Sequence, residues 1–222
     1  MPVSLPKPEI EKKFEEYRHF LVYEATRLTN FVALFRKLHE RRGDRLEEIN
    51  IAPAFFQMAT EALLAAIILW VDKLLKELGE RGIFDFLSFI ESNLKILEVE
   101  QLKRRKNYPD SHRMLSRDPI TLETVKEDRE RIQRLTCLQN FKTLRDKFYA
   151  HFDKEYFFDR ERMREMAPTW GDLDEVVEVI SQVINRYSVA YDGQEFSLQL
   201  ANINDLDSLL NRLYRCRKAN NG

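Results

Sequence analysis

The sequence predicts an all-α fold, a bundle of about five long antiparallel helices with a short C-terminal extension. Two observations carry this expectation. Of 222 residues, 44% are hydrophobic and 33% charged, with only six Gly and seven Pro, a balance suited to long helices rather than to many strands joined by tight turns. Apolar residues also recur at steps of three and four through most of the chain, which is the helical period. A chain of this length is best served by one core. Residues 1–222 therefore read as a single domain, with a core over about 8–192 and an extension over 193–222.

The first helix opens at Pro6 and Pro8, since proline is tolerated where no intrahelical N–H bond is lost. Phe14, Tyr17, Leu21, Ala25, Leu28, Phe31, Val32 and Phe35 then mark one face to about residue 41, and Gly43-Asp44 ends it. A second helix spans about 53–78, closed by Gly79 and Gly82. Its centre is apolar on every face, so it is expected in the middle of the bundle. A third runs from 84 to about 101, with Phe86, Leu87, Phe89, Ile90, Leu94 and Leu97 on one side. It leads into a basic loop, Lys103-Arg104-Arg105-Lys106-Asn107-Tyr108-Pro109, and six Lys or Arg stand against one Asp from Gln101 to Arg117.

The fourth helix starts near Asp118-Pro119, Thr121 or Thr124 and continues to about residue 157. The fifth follows Thr169-Trp170-Gly171-Asp172, turns Val176, Val177, Val179, Ile180, Val183, Ile184 and Tyr187 inwards, and ends at Gly193. Trp170 is expected to anchor it. Residues 195–200 alternate well enough for a short strand, and Asn204 or Asp205 caps a last helix through Tyr214. No internal repeat is present.

Composition excludes several functions. A net charge of −1 offers no global attraction to nucleic acid or to an acidic membrane, so polyanion binding requires a local patch. Cys137 and Cys216 form no pair motif, and His19, His39 and His112 have no ligand-spaced partners. Neither a metal site nor a disulfide framework is therefore expected, and no cofactor. The stretch at 1–6 lacks the basic and apolar run of a secretory signal. The longest apolar run, 62–71, is about half of the roughly 20 residues a spanning helix needs. A cytoplasmic location without membrane contact is the expectation.

One residue breaks the pattern. On a wheel at about 100° per residue, Cys137, Leu138, Phe141, Leu144, Phe148, Tyr149, Phe152 and Tyr156 fall in one arc of the fourth helix, and Arg145 falls inside it. A guanidinium is expensive to bury unpaired, so this position needs an anion. A core-facing acid such as Asp72 or Glu61 is the structural choice, and a phosphate the functional one. His151 lies roughly 120° from Arg145 round the same wheel. The two therefore meet in one pocket only through a distorted helix or a symmetry-related copy.

Arg with His suffices for cutting RNA without a metal. His acts as general base on the 2′-hydroxyl or general acid on the leaving oxygen, and Arg stabilises the phosphorane charge. Asp146 is a supporting residue. Lys147 and the basic stretch Lys103, Arg104, Arg105 and Lys106 are candidates for flanking phosphates, with Tyr108 available to stack on a base. The aromatic run Tyr156-Phe157-Phe158 is expected in the core or a dimer interface.

The segment Leu144-Arg145-Asp146-Lys147-Phe148-Tyr149-Ala150-His151-Phe152-Asp153 resembles the signature of the HEPN superfamily, an Arg and a polar residue followed by His after four to six intervening positions. Ala before the His and Asp two after it are similar to the abortive-infection, AbiU-like branch. So are the Trp-Val-Asp-Lys-Leu-Leu segment at 70–75 and the Phe- and Ser-containing helix at 84–90. This resemblance implies an antiparallel helical bundle, homodimerisation, and metal-independent endoribonuclease activity that leaves 2′,3′-cyclic phosphate ends in phage defence or toxin-antitoxin systems. The implied partners are RNA and a second copy of the chain, with an antitoxin protein as a further candidate. Arg145 and His151 carry the implied catalysis, with Asp146 at the polar position. The alternatives are a non-catalytic HEPN-like scaffold that binds a nucleotide or a protein, and a plain helical interaction protein with Arg145 in a structural ion pair.

Overall fold

A computed structural model describes residues 7–77, 81–149, 161, 165–199 and 202–220. The fold is all-α. Helix α1 (Pro8–Asp44), α2 (Leu46–Ile49) and α3 (Pro53–Leu75) are followed by α4 (Ile83–Ser92) and α5 (Val99–Lys106). Then come α6 (Leu122–Gln133), α7 (Leu138–Leu144), α8 (Trp170–Asp192) and α9 (Asp205–Asn220). Short 3₁₀ turns cover Leu94–Leu97 and Arg113–Ser116.

The three longest helices form the frame. α1 packs most extensively on α3 and then on α8, and both pairs are antiparallel. Leu38 shares a cluster with Phe56 while Glu24 meets Trp70 and Lys73. Likewise Phe35 packs on Trp170 at one end and Arg18 pairs with Asp192 at the other. Phe14, Leu21 and Leu28 of α1, Ile67, Val71 and Leu74 of α3, and Val183, Ile184 and Tyr187 of α8 are all buried in one core. A smaller cluster of Leu38, Ile49, Phe56, Leu206 and Leu210 docks α9 onto the far end of α1, reinforced by Asp207, which pairs with Lys37 and Arg41.

The boundaries set by local chemistry lie near their expected places. Pro53 opens α3. Thr169 accepts a hydrogen bond from the Asp172 N–H while the Asp172 carboxylate takes the Thr169 N–H, a capping box that starts α8. Gly193 ends it at φ +77°, a left-handed conformation that disfavours a side chain. Gly82 is required for a different reason: a Cβ there would stand 3.0 Å from the Leu74 carbonyl oxygen.

Four expectations are corrected. The third helix is three pieces, since Asn93 leaves helical geometry and turns its side-chain amide back to the Phe89 carbonyl. The fourth is broken between α6 and α7. Leu135 and Cys137 are both buried there, and on a straight helix they would point about 200° apart. The break lets both enter the core. No strand occurs among the described residues. At 195–197 the Phe196 backbone N–H and carbonyl are instead both bonded by the Asn185 side-chain amide, which takes the role of a neighbouring strand.

The last correction concerns α3. Its mean hydropathy is 1.8 over an 18-residue window, yet only 22% of that window is buried. Phe55, Met58, Ala62 and Leu69 share one exposed face, so the helix lies at the edge of the bundle rather than its centre. This is the one helix among the described residues long and apolar enough to cross a membrane.

Candidate active site

Arg145 ends α7 and begins a π-helical turn, Arg145–Tyr149. Such widened turns recur at functional sites. The turn and α7 both pack on α3, which carries Asp72. The Arg145 Nη1 pairs with Asp72, while Nε and Nη2 reach Asp146 Oδ1 at 2.8 and 2.6 Å. The Arg145 and Asp72 side chains are each 17% exposed. The hydrogen bond to Asp72, followed by that to Asp146, holds the guanidinium above its ordinary pKa. Among the described residues, three of its five N–H donors are used in these contacts.

The anion required at Arg145 is thus supplied from within the chain, by one of the two acids expected for it. Glu61, the other, lies instead in the electrostatic field of Tyr149, whose pKa is raised mainly by burial. Asp146 lies against Arg145, with its side chain 40% exposed. Lys147 is half-buried on the same turn. His151 and the run Tyr156-Phe157-Phe158 lie outside the described residues.

Arg145 also lines a cleft of about 600 Å³ at the break between α6 and α7. Asp72, Lys76 and Glu77 from the end of α3, Gln133 and Arg134 from the end of α6, and Gln139 and Lys142 from α7 surround it, over a floor that includes Leu75, Phe84 and Phe141. Sequence reading missed this cleft because it depends on the helix break. The only signal was spacing: Lys142 stands three positions before Arg145 and Lys76 four after Asp72.

The basic stretch is elsewhere and largely committed. Its four cations form the last turn of α5, where positive charge complements the helix dipole, rather than a loop. Arg105 donates to the Tyr191 and Ile96 carbonyls and pairs with Glu11, its guanidinium 3.8 Å from the Tyr191 ring centroid. Lys103 pairs with Asp110, Lys106 approaches Asp192, and Tyr108 stacks on His112 at 3.7 Å. Arg104 is exposed. Arg105 meets α1 at Glu11, whereas Lys73, beside Asp72, meets it at Glu24. Those levels are about 20 Å apart at helical rise, so the stretch does not join Arg145.

The remaining histidines have structural settings. His112 Nδ1 accepts the Met114 N–H, and His39 packs edge-on against Trp170. His19 borders an open surface cleft with Tyr23 and Phe20. No group of three His, Cys, Asp or Glu side chains suited to a metal occurs among the described residues.

The model of the HEPN family AbiU2 matches residues 11–213. The chain belongs to the HEPN AbiU2 family. The match runs from the second turn of α1 into α9, so the AbiU2 assignment includes the C-terminal extension as well as the motif. No curated protein and no solved structure matches the chain.

Proposed function

We propose that this AbiU2-family protein is a metal-independent endoribonuclease of HEPN type, a cytoplasmic homodimer acting in phage defence or as the toxin of a toxin-antitoxin pair. The observation that carries this reading is Arg145 itself. It is the motif arginine, it stands at the first residue of a π-helical turn, and Asp72 and Asp146 brace it. A side chain held by neighbouring carboxylates is preorganised for a developing phosphorane charge.

In this reading His151 takes the proton from the 2′-hydroxyl, the 2′-oxygen attacks phosphorus, and the bond to the 5′-oxygen breaks. Arg145 stabilises the additional negative charge at the non-bridging oxygens. The 5′-oxygen receives a proton from the His of the second subunit, leaving a 2′,3′-cyclic phosphate and a 5′-hydroxyl. Asp146 orients the guanidinium, and Lys147 contacts a flanking phosphate. The exposed stripe of Phe55 and Met58, 62% and 63% exposed, supports association of two copies, because contiguous apolar surface of this kind marks interfaces.

A second reading has its own support. The Arg145–Asp72 pair satisfies the arginine internally, as a non-catalytic scaffold binding a nucleotide or a protein would also require. The deciding experiment is a nuclease assay on tRNA and mRNA with and without EDTA, comparing the wild type with Arg145→Ala and His151→Ala. Cleavage that resists the chelator and disappears in both variants is expected. Cleavage that needs a divalent ion, or that persists in both variants, overturns the mechanism. Absence of cleavage by a folded wild type favours the scaffold.

A further inference from the structure

The cleft at the α6–α7 break has a composition that the Arg145–Asp72 pair does not explain. Among the described residues lining it are four cations, Lys76, Arg134, Lys142 and Arg145, against two carboxylates, Asp72 and Glu77. The carboxylates are engaged, Asp72 by Arg145 and Glu77 by Gln133. Arg134 pairs with Glu130. Lys76 and Lys142 are exposed, and neither has an ion-pair partner among the described residues. Lys76 and Lys142 are thus the rim cations open to an external anion, while Glu77, bonded only by the neutral Gln133 amide, is the lining carboxylate outside any ion pair among the described residues.

The interior is different in kind. Leu75, Phe84, Leu135 and Phe141 are each at most 5% exposed and form an apolar floor. A volume of about 600 Å³ is in the range of sites for small organic groups. An apolar floor under a cationic rim matches a nucleotide, whose base buries an unpaired face while its phosphate stays at the rim. A paired duplex base has no free face to enter such a cleft.

We propose that this cleft seats one nucleotide of a single-stranded RNA, its base over the floor of Leu75, Phe84 and Phe141 and its phosphate between Lys76 and Lys142. This rests on the ribonuclease reading for the choice of RNA, and deepens it by assigning where the strand lies relative to Arg145. Arg145 lines the same cleft, so the phosphate neighbouring the seated nucleotide is the one presented to the motif. Lys76 and Lys142 are substrate-positioning residues, and the α6–α7 break exists on this view as the wall of a binding site.

The test is equilibrium binding of a short, labelled single-stranded RNA of mixed sequence to full-length His151→Ala protein, which leaves the RNA intact, across a series of salt concentrations. The Lys76→Glu/Lys142→Glu double substitution is expected to weaken binding about tenfold or more at low salt. It should also reduce the slope of log K against log salt by about 0.7 for each phosphate that is no longer neutralised. The milder Lys76→Gln/Lys142→Gln pair follows in the same direction, and thermal melts of both match the parent because neither lysine holds an ion pair. Unchanged affinity and slope overturn the proposal. So does binding of AMP as tight as that of RNA, which identifies a free-nucleotide site, or equal binding of poly-glutamate, which identifies an acidic protein partner. Wild-type cleavage that the double substitution leaves untouched defeats this inference alone. Lysine-dependent RNA binding without any wild-type cleavage defeats only the nuclease reading.

Discussion

Asp72 of α3 and Arg145 at the end of α7 form an ion pair in which each side chain is 17% exposed, joining two helices whose packing also walls the cleft. Replacing Asp72 with Asn keeps the shape and removes the charge. It is expected to lower stability by about 1–3 kcal/mol, since a partly buried guanidinium loses a charged acceptor, read as a lower denaturation midpoint. In the ribonuclease reading kcat falls as well, with KM little changed, because the guanidinium loses its orientation. A purely structural arginine gives the stability loss with no kinetic effect.

Asp128 of α6 is a second buried anion, 1% exposed, bonded by the Tyr187 hydroxyl at 2.9 Å and by Arg186 at 2.7 Å. Burial raises its pKa, against the opposing influence of these partners. Tyr187→Phe removes one donor from a carboxylate that water does not reach. A loss of about 1–3 kcal/mol is expected in urea unfolding. An unchanged midpoint would show that the bond is not stabilising.

The two cysteines provide a chemical check on the core. Cys137 is buried at the helix break, and burial pushes its thiol to about 11, whereas Cys216 is exposed. At pH 8 a thiol reagent is expected to modify one cysteine rapidly, and mass mapping should find it at Cys216. Fast modification at Cys137 would contradict the packing of the α6–α7 junction.

Docking of α9 carries a pH signature. Hydrogen bonds from Arg41 and then Lys37 lower the Asp207 carboxyl from its ordinary 3.8 to about 2. A depressed folded-state pKa contributes stability above the unfolded value and loses it as pH falls through the folded one. Amide exchange in α9 is therefore expected to accelerate as pH drops from about 4 towards 2, beyond the intrinsic rate change. Asp207→Asn should show the faster exchange at neutral pH and lack this part of the acid response.

How much of this was legible in the sequence depends on how far apart the interacting residues are. Helical class, the start of α8 after Thr169 and its end at Gly193 follow from neighbours within a few positions, so period and turn chemistry sufficed. The HEPN segment around Arg145 was equally readable, as was the need for an anion there, because a guanidinium in an apolar arc violates the pattern of its own helix.

What the tertiary structure alone decided concerns residues distant in sequence. Which acid meets Arg145 is a matter of how α7 lies on α3, and Asp72 stands there rather than Glu61. Whether a basic run is available is a matter of what packs on it: Arg105 is taken by Tyr191 and Glu11, 86 and 94 positions away in the chain. An apolar helix reads the same whether its faces meet a core or solvent, so the exposed stripe of α3 could not be seen from periodicity. The cleft required a helix to break where Leu135 and Cys137 both turn inwards, a choice made by the core that receives them rather than by the local preference of the segment.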